Sequence, residues 1–241
     1  MIKFDNLHKE YKNKNNEPIK ALDGFSLEID ENQVFALAGV NGAGKTTALK
    51  ALFNLISLDD GSVEVSCRTD SKQQTISFAP EVADLPDYLT VEEAIELSCR
   101  LAGFSLDKSH IDSAISMFEL DSQRSKNIRV LSKGNRQRVS LAAAVAYDAD
   151  IVVFDEPTSG LDPLGRRLIK NAIKELKSKG KTILFSTHML ADLPEICDKM
   201  AIVDDGKVIF SGSVSEFCED SNLGPMEARF AELIGQEAGK C

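Results

Sequence analysis

Gly39-Val40-Asn41-Gly42-Ala43-Gly44-Lys45-Thr46 decides how the rest of this 241-residue chain is read. The stretch has the spacing G-x-x-x-x-G-K-[ST], in which glycines let the backbone curl until several N–H groups converge on one anion. It follows Gln33-Val34-Phe35-Ala36-Leu37-Ala38, a run sized for a buried strand. It precedes Ala48, Leu49, Leu52 and Phe53, the apolar face of a helix expected from Thr46 to about Leu58. Between a buried strand and a helix N-terminus such a turn is a phosphate site, since the N–H groups and the helix dipole both favour negative charge. Gly39, Asn41, Gly42, Ala43 and Gly44 form the cradle. Lys45 can reach the β- and γ-phosphates of a nucleoside triphosphate, the Thr46 hydroxyl can ligate Mg²⁺, and Thr47 adds a hydroxyl to the α-phosphate. A glycine-rich turn without a ligand is the bland alternative, and the flanking elements count against it.

Three further segments carry chemistry. Ile151-Val152-Val153-Phe154-Asp155-Glu156 is an apolar strand ending in two carboxylates, which it delivers to the ligand edge of an open α/β sheet. There Asp155 would hold Mg²⁺ through water, and Glu156 would orient and polarise an attacking water. His188 follows the apolar strand Thr182–Ser186 and reaches the same sheet edge, where it suits a γ-phosphate contact. His8 and His110 lack such a context and read as surface residues. Leu131-Ser132-Lys133-Gly134-Asn135 opens an alanine-rich helix running through Val145. Ser132 is a good helix cap; equally, its hydroxyl and the Gly134 N–H could form a second anion-binding helix end. From this segment alone both readings stand.

The rest of the pattern frames these segments. The first thirty residues read as strand, polar loop (Lys12–Pro18) and strand. Thr90 with Glu93 can close a capping box, and Ile111, Ala114, Ile115 and Phe118 form one stripe of a second helix. In the last third strands and helices alternate, the signature of a parallel sheet. Asp162-Pro163 opens a helix that Gly180 ends, and Asp205-Gly206 between two apolar runs marks a hairpin. Met226, Phe230, Leu233 and Ile234 suggest a terminal helix. With no repeat and no low-complexity linker, residues 1–241 are expected to form one α/β domain carrying an inserted helical lobe.

Composition narrows the class. Hydrophobic residues make up 43% of the chain, enough for a real interior. The formal charge of −10 argues against general nucleic-acid binding, because an acidic surface repels a phosphate backbone. No run approaches the roughly 18–20 apolar residues of a membrane span, and Met1-Ile2-Lys3-Phe4-Asp5 does not begin a signal peptide, so a cytoplasmic location is expected. Cys67, Cys99, Cys197, Cys218 and Cys241 are scattered without metal or redox spacing and read as reduced thiols.

Taken in order, these segments resemble the nucleotide-binding subunits of ABC (ATP-binding cassette) transporters over nearly the whole chain. Gly39–Thr46 looks like the Walker A motif of that family, and Asp155 with Glu156 like Walker B and its catalytic acid. Leu131–Asn135, followed by Arg136-Gln137-Arg138, is similar to the family signature Leu-Ser-Gly-Gly-Gln; Ser159-Gly160-Leu161-Asp162 looks like the D-loop and His188 like the switch histidine. The resemblance implies a P-loop NTPase core with a mainly parallel sheet, an antiparallel β subdomain and an inserted α-helical subdomain over about 82–145. It implies ATP and Mg²⁺ as ligands, and Tyr11 as an aromatic stacking on adenine. It implies a head-to-tail homodimer or heterodimer in which ATP lies between the Lys45 side of one subunit and Ser132, Gly134, Asn135 and Asp162 of the other. The Ser-Lys-Gly form of the signature is similar to that of bacterial drug, peptide and polysaccharide exporters. By resemblance, then, the chain is the ATP-hydrolysing subunit for a separate transmembrane permease that grips the lobe between about Glu81 and Lys126, which holds it to the inner face of the cell membrane. A soluble ABC ATPase acting outside transport is the alternative. Two positions depart from the family: Glu81 stands where a Mg²⁺-approaching glutamine is usual, and the signature carries Lys133 and Asn135 in place of glycine and glutamine.

Overall fold

The computed structural model describes residues 1–66, 75–82, 84–103, 107–219 and 226–238. Along the chain run β1 (Ile2–Lys12), β2 (Pro18–Ile29), β3 (Val34–Ala38), α1 (Lys45–Leu52), β4 (Asp60–Val65), β5 (Ile76–Ala79), α2 (Val91–Leu101) and α3 (Lys108–Met117). Then come α4 (Lys133–Val145), β6 (Ile151–Phe154), α5 (Pro163–Ser178), β7 (Thr182–Thr187), α6 (Leu193–Ile196), β8 (Lys199–Asp204), β9 (Lys207–Ser213), α7 (Val214–Glu219) and α8 (Met226–Ala238). The chain divides into two compact units, Met1–Gln74 with Ser186–Cys241, and Thr75–Phe185.

In the first unit β1 pairs antiparallel with both β2 and β4. Ile2 and Phe4 point inward, as strand alternation requires. At Asn6 (φ +48°) the register slips, and the extra residue returns Leu7 to the buried side. The Phe4 and Phe25 rings meet edge to face at 5.5 Å beneath this ribbon. The polar loop between the strands folds on Asn13, whose Oδ1 accepts from the N–H groups of Asn15 and Glu17. A second set of strands has β3 parallel to β8 and β8 antiparallel to β9. All five residues of β3 are buried, so it reads as a continuous apolar run. Asp205 (φ +42°) and Gly206 (φ +75°) form the expected two-residue hairpin turn, whose positive φ angles match the twist of the flanking strands.

Helix α1 is shorter than the expected Thr46–Leu58. It stops at Leu52 because Asn54 enters the left-handed region (φ +52°), and the Leu55 N–H turns back to the Lys50 carbonyl. The apolar face in the sequence continues past this point, but the backbone does not.

In the second unit β5, β6 and β7 run parallel, with Ile76 opposite Ile151 and Ile151 opposite Thr182. Thr90 and Glu93 close the capping box of α2, and Ile111, Ala114, Ile115 and Phe118 are buried as their spacing requires. Helix α4 begins at Lys133 with Ser132 as its cap. Helix α5 opens behind Asp162, and Gly180 (φ +77°) follows its end. Among the described residues no helix is long and apolar enough to cross a membrane. Cys99 is buried, Cys197 and Cys218 are half-buried, and all three are free thiols; Cys67 and Cys241 lie outside the described residues.

Candidate functional site

Strand β3 ends at Ala38 and the backbone begins to curl at Gly39. A methyl group on Gly39 would come within 2.4 Å of the Val203 carbonyl oxygen, so only glycine leaves β8 room beside the loop. Gly42 and Gly44 take φ of +88° and +109°, values that L side chains rarely adopt, and a methyl on Gly44 would lie 2.4 Å from the Ala21 carbonyl. These three glycines give the loop its shape. Ala43 is braced from outside, because its carbonyl accepts from the Gly206 N–H at 2.9 Å while the Gly206 carbonyl accepts from Asp23 N–H at 3.0 Å. The hairpin turn therefore ties the phosphate loop to β2. In the sequence Gly206 reads only as part of a turn; its second role comes from a tertiary contact with no sequence signal.

Gly44 is also the N-cap of α1 and lends it no side-chain cap, so the first N–H groups of this helix are not taken up by a capping side chain. Lys45 is 5% exposed, and its ammonium donates to the carbonyls of Gly39 at 2.8 Å and Val40 at 3.1 Å. The charge is thereby held at the centre of the curl. Thr46 and Thr47 are half-buried in the first turn of α1, and Asn41 and Gly42 are exposed at the rim.

Two more predicted residues lie in this unit. The Gly39 N–H donates to the Thr187 carbonyl at 3.1 Å, so the first glycine of the loop is joined to the residue before His188. His188 itself is exposed, and the Thr187 hydroxyl accepts from Met189 N–H at 2.9 Å to turn the chain there. Tyr11, 41% exposed, sits at the end of β1 opposite Ile19, two residues from the Ala21 that crowds Gly44. The fold thus brings the phosphate loop, His188 and the Tyr11 ribbon into one neighbourhood.

In the second unit Asp155 and Glu156 are 2% and 6% exposed at the end of β6. The Asp155 N–H donates to Ala79 at 2.9 Å, setting the two carboxylates beside the strand that leads through Pro80 to Glu81. Glu156 takes φ of +49°, an uncommon conformation for a residue other than glycine, asparagine or aspartate. Ser132 is a helix cap: its hydroxyl accepts from the Asn135 N–H at 3.2 Å. Asp162 is engaged likewise, its Oδ1 accepting from Gly165 N–H at 2.7 Å at the head of α5. A cavity of about 380 Å³ gathers Glu81, Lys133, Gly134, Ser159 and Gly160 along its wall. Three segments that are distant in sequence, the glutamate after β5, the signature-like turn and the Ser159–Asp162 turn, therefore share one surface.

Comparison with known proteins gives this arrangement a class. The family model for ABC transporters matches residues 22–159. An uncharacterised ABC transporter ATP-binding protein of Methanocaldococcus jannaschii is 36% identical over 219 residues, covering 90% of this chain and 79% of that protein. Nod factor export ATP-binding protein I of Burkholderia lata is 31% identical over 230 residues, covering 92% of this chain and 74% of its own length. A dimeric ATP-binding cassette solved in a post-hydrolysis state with ADP and phosphate matches with a TM-score of 0.79 at 26% identity, covering 89% of this chain and 99% of that one. The chain belongs to the ABC transporter family, as one of its ATP-binding, ATP-hydrolysing subunits. Its fold is the α/β P-loop NTPase fold, with a parallel-stranded core and a separate antiparallel sheet.

Proposed function

We propose that this subunit powers export through a separate transmembrane partner, closing on ATP together with a second ATPase subunit and reopening after hydrolysis. The observation that carries the reading is the hydrogen bond from Gly39 to Thr187. It joins the residue before His188 to the turn that surrounds the Lys45 ammonium, which supports the reading that a cation and an imidazole from the ends of two strands meet a terminal phosphate. The converging N–H groups of residues 39–47 bind the polyphosphate, and Tyr11 stacks on adenine. Glu156 orients the attacking water as general base, and His188 and Lys45 take up the charge that develops on the γ-phosphate.

Magnesium suits the donor set. Among the described residues no group of three or more His, Cys, Asp or Glu side chains could hold a metal, and Mg²⁺ bound to a nucleotide needs only one or two protein ligands beside phosphates and water. Thr46 and Asp155, with Glu81 approaching, would hold it, and bound there it neutralises charge on the β- and γ-phosphates. Ser132, Gly134, Asn135 and Asp162 present a second face to the nucleotide of the opposite subunit. Export rather than import is favoured by the likeness to the Nod factor export protein. The transmembrane partner grips the lobe between about Glu81 and Lys126 and so holds the subunit at the inner face of the membrane.

Two variants test the reading. Lys45→Ala should abolish ATP turnover measured as phosphate release, and unchanged hydrolysis would overturn the assignment of the phosphate loop. Glu156→Gln should elute as an ATP-bound dimer on size exclusion; a monomer at saturating ATP would refute closure on a second subunit.

A further inference from the structure

Lys9 lies two residues before Tyr11 on β1, outside every motif read from the sequence. Its side chain is only 12% exposed, although lysines normally extend into water. The ammonium is fixed at two points. It donates to Asp59 Oδ1 at 3.1 Å, and it stands 5.5 Å from the centre of the Tyr11 ring, within the range of a cation–π contact. Asp59 is itself anchored, so the arrangement is more than two flexible side chains meeting. Where β1 slips register between Lys9 and Glu10, Asp59 Oδ2 accepts from the Glu10 N–H at 2.6 Å, and the Asp59 N–H donates to the His8 carbonyl at 2.9 Å. Asp59 therefore brackets residues 8 to 10 from outside the ribbon. The Glu10 N–H, followed by the Lys9 ammonium, also holds its carboxyl below the usual carboxylate range.

An aromatic ring has two faces. An exposed tyrosine at the end of a strand samples several orientations about its first side-chain bonds, and each must be given up when a base stacks on it. A cation held against one face reduces that freedom before any ligand arrives. It also draws electron density from the ring, which improves the face left for an electron-rich purine. Resting on the reading that Tyr11 stacks on adenine, we propose that Lys9, clamped by Asp59, is a positioning residue that covers one face of the Tyr11 ring and so presents the other to the base.

The test is calorimetric titration of the full chain with ATP, and with inorganic tripolyphosphate as a probe that lacks a base. The variants are Lys9→Met, which keeps the apolar stem, Lys9→Arg, Tyr11→Ala and the Lys9→Met/Tyr11→Ala pair. Lys9→Met should weaken ATP by about two- to fivefold, the equivalent of a cation–π contact of roughly 0.5–1 kcal/mol. Tripolyphosphate affinity should be unaltered, and Lys9→Arg should restore ATP binding, which a merely misfolded ribbon would not allow. In the Tyr11→Ala background the Lys9→Met change should have no further effect. An equal loss for tripolyphosphate, or an additive loss in the double variant, would mean that Lys9 acts elsewhere and would overturn the proposal. A weakened Tyr11→Ala beside an unchanged Lys9→Met would overturn it alone. Wild-type ATP affinity in Tyr11→Ala would remove the stacking reading and this inference together.

Discussion

Gly44→Ala and Gly42→Ala place the same methyl group at two points of one loop, and the structure assigns them different penalties. At Gly42 the backbone has φ +88° and a Cβ would meet nothing within 4 Å. The only structural loss is the conformational strain of a non-glycine residue at positive φ, about 1–3 kcal/mol. At Gly44 the angle is +109°, so the strain is at least as large, and the methyl would sit 2.4 Å from the Ala21 carbonyl oxygen and 3.3 Å from Gly206 Cα. Both obstacles are backbone. Neither can rotate away like the end of a side chain, so the ribbon or the hairpin turn must move. Overpacking of this kind adds roughly 1–3 kcal/mol. Gly44→Ala should therefore be about 2 kcal/mol less stable than Gly42→Ala, equivalent to a thermal midpoint about 4–8 °C lower for a chain of this size. Differential scanning fluorimetry without nucleotide measures the pair under identical conditions. Equal midpoints would refute the claim that Ala21 and Gly206 clamp the loop, and would leave backbone angle as the sole reason for glycine at both positions.

Glu156 offers a test of stored strain. At φ +49°, Glu156→Gly should be more stable than Glu156→Ala by about 1 kcal/mol in urea titration, the reverse of the order in ordinary backbone. The usual order, alanine the more stable, would count against a strained residue at the end of β6. At Asp162, replacement by alanine removes the cap on Gly165 N–H and should lower stability by about 1 kcal/mol, whereas Asp162→Asn should retain most of it. If the two variants unfold together, the carboxylate oxygen is not acting as a cap.

The parts of this molecule legible in the sequence are those whose signal is local. The phosphate loop, the Thr90–Glu93 box, the Asp162-Pro163 start and the Asp205-Gly206 turn each depend on residues within a few positions of one another, and each appears in the structure. Strand β4 was not legible because five of its six residues are exposed and no alternation marks it; its pairing with β1 defines it. The end of α1 is not legible because Leu55 and Ile56 continue the apolar pattern beyond Asn54, whose left-handed turn carries no reliable sequence mark. The support of Ala43 by Gly206 and the cover of Tyr11 by Lys9 were invisible for a third reason. Both join residues brought together by the folded ribbon, and neither partner has a type that implies the other.

The same distinction explains why the departures at Glu81, Lys133 and Asn135 leave the framework of the site standing. The signature-like turn is held through the Asn135 N–H to Ser132, so the capping bond does not use the side chain at position 135. Gly134 lies against Leu161, where a Cβ would be at 3.4 Å, an ordinary contact that does not depend on Lys133. Glu81 follows β5, whose end is fixed by the Asp155 N–H on Ala79, again a bond between backbone groups. Backbone therefore sets the positions, and side chains are left to vary the charge that these positions present. On the resulting wall an acid, Glu81, and two cations, Lys133 and Arg136, line one cavity within a single unit. A glutamine at position 81 and a glycine at position 133 would add no charge to that of Arg136, so in this chain the two changes offset each other in formal charge. Replacing either one alone should therefore disturb turnover, measured as phosphate release, more than replacing both, because each single change shifts the net charge of that wall by one unit and the pair leaves it unaltered.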